Sequence, residues 1–156
     1  MAKTAIVYYS LEGTTEAIAK RLGFFIGADL IRMNPKREPP KKGPGKFLVG
    51  GLTAVLEIDP QMPNLKDTLA PYENVVVAFP IWAGTYPPAV GALVDQGGLL
   101  GKKVYLIASS KSGNAKAAFL KLNRKLASVD ICDRLSIVGA DETALKKFAR
   151  KNGLTD

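Results

Sequence analysis

Three short segments carry the residue types best suited to chemistry: SLEGTT at Ser10–Thr15, PIWAGTYPP at Pro80–Pro88, and SSKSGN at Ser109–Asn114. In the first, hydroxyls from Ser10, Thr14 and Thr15 flank Leu11, Glu12 and Gly13. If a strand runs into a helix here, backbone N–H groups converge at a helix N-terminus and a phosphate fits among them. Gly13 allows close backbone approach, yet the segment is neither G-x-x-x-x-G-K-[ST] nor G-x-G-x-x-G, which disfavours a nucleoside triphosphate. An ordinary turn with a hydroxyl N-cap is the competing interpretation. In the second segment Pro80, Ile81, Trp82, Ala83, Gly84, Thr85 and Tyr86 present an indole that is costly to expose unless a flat group covers it. A tryptophan packed on its own loop is the alternative. The third, Ser109, Ser110, Lys111, Ser112 and Gly113, is small and polar. The chain has no histidine, so the commonest general base and metal ligand are missing, and any chemistry falls to a cofactor. No side chain is assigned as catalytic and no metal site is expected.

The elements that must position these segments alternate in type. Strand-length apolar runs cover Thr4–Tyr9, Asp29–Met33, Val75–Phe79, Val104–Ala108 and Ile131–Val138. Amphipathic stretches predict helices over Thr14–Phe25, with Ile18, Leu22 and Phe25 inward, over Ala89–Asp95, and over Ala115–Leu126. A closing helix capped by Asp141 ends near Gly153, and one further helical segment is expected without a firm position. The continuous β-branched run Val75–Phe79 suits a central strand covered on both faces. Asn34–Gly51, rich in Pro, Gly and Lys, punctuates the chain. Such alternation predicts an α/β, doubly wound, five-stranded parallel sheet in a three-layer sandwich. Its ligand site would lie outside the carboxyl ends of the strands, where all three segments fall.

With 156 residues and 47% hydrophobic content, a single domain over 1–156 is expected. One cysteine, Cys132, permits no internal disulfide and points to a reducing, cytoplasmic setting; its apolar surroundings predict a buried, inert thiol. No signal peptide or apolar stretch of about 18 residues is evident, so neither export nor a membrane span is expected.

The segment IVYYSLEGTTEAIA, Ile6–Ala19, resembles the flavodoxin signature through its aliphatic pair, an aromatic, Ser10, Gly13, Thr15 and Ala19. PIWAGTYPPA resembles the family's flavin loop, and GKFLVGGLTA at 45–54 resembles a short-chain branch of flavodoxin-like proteins. The resemblance implies strand order 2-1-3-4-5, non-covalent FMN, and electron transfer. It implies phosphate on Ser10, Gly13, Thr14 and Thr15, with the ring between the other two loops. It also implies Trp82 stacked on the flavin, Ala83 and Gly84 beside its N5, Tyr86 tightening the ring site, and amides of the Ser109–Asn114 loop at the pyrimidine edge. A peptide carbonyl near N5 would favour one-electron reduction.

The chain departs from the family in several places. Glu12 stands where a hydroxyl residue is common and should point to solvent; Thr14 replaces a frequent Asn. The third loop has no aromatic, which leaves one ring face open. Charge is the largest departure: 22 Lys and Arg against 14 Asp and Glu give +8, the reverse of acidic flavodoxins. Lys102–Lys125 holds seven cations and no carboxylate. A redox partner with an acidic docking surface is therefore expected. A cation about 8 Å from an anionic ring contributes about 2 kcal/mol at a dielectric near 20, roughly 90 mV, so Lys111 should raise the second reduction potential.

Two alternatives stand beside the carrier. One is an FMN-dependent NAD(P)H:quinone reductase, or another flavodoxin-like oxidoreductase for a flat substrate, using the open ring face, against which the short chain weighs. The other is a cofactor-free basic module, supported by Lys36, Arg37, Lys41, Lys42 and Lys46, but without interleaved aromatics for specific nucleic-acid binding. A phosphoacceptor receiver is excluded, since Phe79 and Pro80 stand where it needs an aspartate.

Overall fold

Alternation of buried side chains along each central strand organises the molecule. A computed structural model describes residues 3–39, 52 and 59–155. Within it, five parallel strands run β1 (Thr4–Tyr8), β2 (Asp29–Arg32), β3 (Asn74–Pro80), β4 (Lys103–Ser109) and β5 (Asp130–Ile137), in the order β2-β1-β3-β4-β5. The helices are α1 (Thr14–Ile26), the short α2 (Lys66–Leu69), α3 (Pro88–Asp95), α4 (Lys116–Lys125) and α5 (Glu142–Lys151).

Because successive strand residues face opposite sides, Ala5, Val7, Val75, Val77, Phe79, Val104 and Leu106 pack with Ala89, Val90 and Leu93 of α3 and Leu122 of α4. Their neighbours Ile6, Tyr8, Val76, Ala78, Tyr105 and Ile107 pack with Ile18 and Leu22 of α1 and Leu145 and Phe148 of α5. Helices on both faces explain why β3 is apolar throughout, with Val75 to Phe79 all buried. This is the flavodoxin-like three-layer arrangement expected from the sequence, with the expected strand order.

Local signals account for the helix ends. The Asp141 carboxylate accepts the Ala144 N–H at 3.2 Å and caps α5. Gly27, at φ 67°, closes α1 in the left-handed region. Phe25, expected in the α1 core stripe, is only partly buried beneath Lys146 and Arg150, while Ile26 takes the inward position.

Cys132 corrects the sequence expectation, for its thiol is exposed. Register jumps from Val104↔Ile131 to Tyr105↔Asp133, so Cys132 is the extra residue of a bulge on an edge strand. Along β5 exposed and half-buried residues alternate, and Cys132 shares the outward face with Asp130 and Arg134 while its neighbour Ile131 is half-buried. Among the described residues no helix is long and apolar enough to cross a membrane. The Gly-rich segment 45–54 and Lys41, Lys42 and Lys46 lie outside the described residues, apart from Leu52.

Candidate functional site

Parallel strands deliver their following loops to one edge of the sheet, and between the loops after β1, β3, β4 and β5 lies a cavity of about 450 Å³. That volume falls within the roughly 300–1,000 Å³ of small-molecule sites. Ser10, Leu11, Glu12, Thr14 and Thr15 wall one end; Pro80, Ile81, Trp82 and Ala83 another; Ser109, Ser110, Lys111 and Ser112 the third side. Val138 and Gly139 complete it from the β5–α5 loop.

The first wall is built from backbone. Gly13 is the N-cap of α1 at φ 104°, a conformation closed to most side-chain-bearing residues, and no side chain caps the helix. The Ser10 hydroxyl, 2% exposed, accepts the Gly13 N–H at 3.0 Å. That amide is thus engaged within the loop, while the Ser10 hydroxyl keeps its own proton to donate. Thr15 is also buried, whereas Thr14 and Glu12 are exposed. The first turn of α1 therefore faces the cavity without a hydroxyl cap, and its N–H groups and dipole favour an anion there. Arg32 supports the loop from beneath: its guanidinium donates to the Ser10 carbonyl at 2.6 Å and lies 3.6 Å from the Glu16 carboxylate.

The second wall is a tight hairpin. Trp82 and Thr85 exchange backbone hydrogen bonds of 2.8 and 3.0 Å around Ala83 and Gly84, both with positive φ, 49° and 76°. Positive φ at both central positions is the type I′ form, inexpensive for Gly84 and strained for Ala83. Trp82 is half-buried and meets Tyr9 edge-on, ring centroids 5.5 Å apart at 78°. Trp82 also borders a smaller cavity of about 110 Å³ shared with Tyr9, Glu38 and five prolines. Burial pushes the Tyr9 hydroxyl well above its ordinary pKa, and the Glu38 carboxylate pushes it further, so Tyr9 stays neutral.

The third wall contributes an orphaned group. The Ser110 hydroxyl oxygen is buried and has no hydrogen-bond partner, although it belongs to a cavity-lining residue. Such an atom is costly unless a ligand satisfies it. The Ser110 backbone N–H is spent on the Ile137 carbonyl at 3.1 Å, which ties this loop to β5.

Not every expected residue meets at the cavity. Gly13 and Gly84 shape its loops without lining it. Gly113 is turned toward Val138, where an added Cβ would come within 3.3 Å of the valine methyl. Thr85 and Tyr86 are 9% and 3% exposed and sit behind the hairpin; the Tyr86 ring lies beside Gly91 of α3 with the Lys121 ammonium 5.2 Å from its centroid. The ring-tightening role expected of Tyr86 therefore has no counterpart in the cavity wall, because Pro87 and Pro88 turn the chain into α3 and carry Tyr86 into the helix layer. Conversely, Val138, Gly139 and the supporting Arg32 were missed from sequence. The rule placing ligands at strand carboxyl ends applies to the β5–α5 loop too, and would have marked the first two. Nothing local in the sequence signals Arg32.

No family model and no curated protein sequence matches the chain. Solved structures do match in fold. A candidate flavoprotein from Bacteroides uniformis is 21% identical, with a TM-score of 0.82 over 96% of this chain and 98% of that one. Another from Bacteroides eggerthii is 20% identical, TM-score 0.81, over 98% and 99%. A flavoprotein from Lactobacillus acidophilus, solved in complex with FMN, is 18% identical, TM-score 0.73, over 96% and 99%. Identities this low establish a shared fold.

Proposed function

We propose that this chain binds FMN without a covalent bond and serves as a one-electron carrier. One observation carries the reading: a single cavity joins an uncapped helix N-terminus, flanked by Ser10 and Thr15, to the half-buried indole of Trp82, with the orphaned Ser110 hydroxyl between. Those features match a ligand with a dianionic phosphate at one end and a flat aromatic system with polar edges at the other. FMN is such a ligand, and it is the molecule named in the complex with the Lactobacillus acidophilus flavoprotein.

Residues from the first loop would hold the phosphate, through the amides of Thr14 and Thr15 and the Ser10 and Thr15 hydroxyls. Trp82 would cover one face of the ring, and Ser110 would take a polar edge. When bound, the flavin supplies the redox chemistry. The protein's part is to hold the ring against Trp82, keep Tyr9 behind it neutral, and leave an edge accessible at the exposed hairpin tip formed by Ala83 and Gly84. Glu12 and Lys111 are the titratable residues among those described around the cavity.

Adding excess FMN, desalting, and reducing stepwise with dithionite tests the proposal. Retained flavin absorbance with a transient long-wavelength band of the one-electron-reduced form is expected, together with no NADPH oxidation when quinone is supplied. Bound flavin that passes directly to the two-electron-reduced form, with NADPH turnover, would replace the carrier by a reductase. No retention and no quenching on titration would refute FMN binding altogether.

A further inference from the structure

The seven cations between Lys102 and Lys125 form one run in sequence, but the fold divides them. Lys102 and Lys103 lie at the start of β4, the end of the sheet away from the cavity, and the Lys102 ammonium donates to the Tyr72 carbonyl at 2.6 Å. Lys125 pairs with Asp95 at 2.8 Å, and Lys121 lies over Tyr86. Lys111 lines the main cavity, and Lys116 and Arg124 remain, exposed and without an ion-pair partner among the described residues.

These two flank an apolar side chain. Lys116, Leu120 and Arg124 recur every four residues on α4, so they form one outward stripe, and Leu120 is 51% exposed. Beside the stripe runs a shallow groove between α4 and the edge strand β5, lined by Gly113, Ala115, Phe119, Leu120 and Ser136 among others. Its floor is fixed by the Ser136 hydroxyl donating to the Gly113 carbonyl and by the Arg134 guanidinium donating to the Asn123 side chain at 2.6 and 3.0 Å. At its upper end the groove meets the wall of the main cavity through Gly113 and Val138, the latter 57% exposed. Two exposed apolar side chains with a cationic border, continuous with a cavity wall, have the anatomy of a docking site with an apolar centre and a charged rim.

The other basic helix provides the contrast. On α5, Lys146 pairs with Glu142 and lies over Phe25, Arg150 lies over the same ring, and Lys151 pairs with Asp133. Those cations are largely occupied on the opposite face of the sheet; Lys147 alone is exposed without a partner among the described residues.

We infer that the α4 stripe and the α4–β5 groove form the docking surface for an acidic electron-transfer protein, which would seat its redox centre against the Val138 side of the cavity. Carboxylates on the partner would meet Lys116 and Arg124, and an apolar contact would cover Leu120 and Val138. Of the described carboxylates near α4 and β5, Asp95 pairs with Lys125, Asp133 pairs with Lys151, Asp130 lies at the start of β5, and Glu12 lines the main cavity; none is on the stripe. This inference rests on the carrier reading for its purpose, though not for its contacts.

The test measures binding of a plant-type [2Fe–2S] ferredoxin, an acidic probe, to the full chain, with and without FMN, across a salt series. A basic cytochrome c of similar size serves as the opposite probe. Affinity for ferredoxin should fall steeply with salt, and the double variant Lys116→Glu with Arg124→Glu should weaken it at least tenfold. Leu120→Ser should weaken it severalfold, while Lys147→Glu should change it less than twofold. Thermal unfolding of each variant checks that the fold is kept. Equal loss per charge removed at Lys147 would reduce the effect to net charge and overturn the site, as would absent ferredoxin binding or equal binding of cytochrome c. Failure to hold FMN with ferredoxin binding still dependent on Lys116 would refute the carrier alone; FMN retention with indifferent stripe variants would refute the docking surface alone.

Discussion

The two ends of the cavity solve recognition in opposite ways. At the α1 end the contacts come from main chain and short hydroxyls: Gly13 at φ 104°, Ser10 and Thr15 almost fully buried, and Arg32 beneath them. At the Trp82 end one large ring, braced edge-on by Tyr9, stands on a hairpin with a strained alanine. The first end reads charge through a backbone shape that few residue types permit. The second reads flatness through a side chain whose removal leaves the backbone intact. The difference can be dissected with two ligands, FMN and riboflavin, which share the ring and differ in the phosphate.

Trp82→Ala should give the largest effect. Stacking of a flat ring on an aromatic side chain contributes about 1–3 kcal/mol, so affinity should fall about 5- to 150-fold for FMN and riboflavin alike. Titrations followed by flavin fluorescence measure both. A loss confined to FMN would mean the ring lies elsewhere. Gly13→Ala should act at the other end and cost less. An added Cβ meets no atom within 4 Å, so the penalty is backbone strain of roughly 1–2 kcal/mol, and it should reduce FMN affinity while sparing riboflavin. Equal losses for the two ligands would erase the distinction between the ends.

The same asymmetry decided what the sequence disclosed. Gly13 beside hydroxyls, directly after a strand-like run, points to a backbone-built anion site because only certain residue types support that geometry. The β-branched run Val75–Phe79 likewise fixes a doubly covered central strand. The ring end was less legible: the type of Trp82 stands out, but whether Tyr86 joins it depends on which way the hairpin turns, and the chain enters α3 with Tyr86 buried. Cys132 was misplaced because apolar neighbours in sequence do not tell which face of an edge strand a residue takes, and it falls on the outward one with Asp130 and Arg134. Arg32 is linked to Ser10 across 22 residues, and that contact exists only once β2 has paired with β1.

Charge offers a finer comparison, because Glu12 lines the cavity from the first loop and Lys111 from the third. Both are exposed, so solvent screens them and each should move the second flavin potential by only tens of millivolts. Lys111→Ala should lower that potential, since a positive charge near the anionic reduced ring is lost; Glu12→Gln should raise it. Redox titration against a dye of known potential reads both shifts. Unchanged potential in the Lys111 variant would remove its tuning role.

Ala83→Gly should give the smallest effect and the most specific one. Alanine in the left-handed region costs about 1–2 kcal/mol, and glycine recovers that while losing about 0.4–1 kcal/mol to the greater freedom of its unfolded chain. The net gain, about 0.5–1 kcal/mol, corresponds to roughly 1–4 °C in thermal midpoint for a chain of this size. Because the turn carries Trp82 at its base, loosening Ala83 should leave the phosphate end untouched, so the ratio of FMN to riboflavin affinity should hold constant while the midpoint rises. A fall in stability instead would mean that the turn is not strained at Ala83 and that the methyl group itself packs usefully at the hairpin tip.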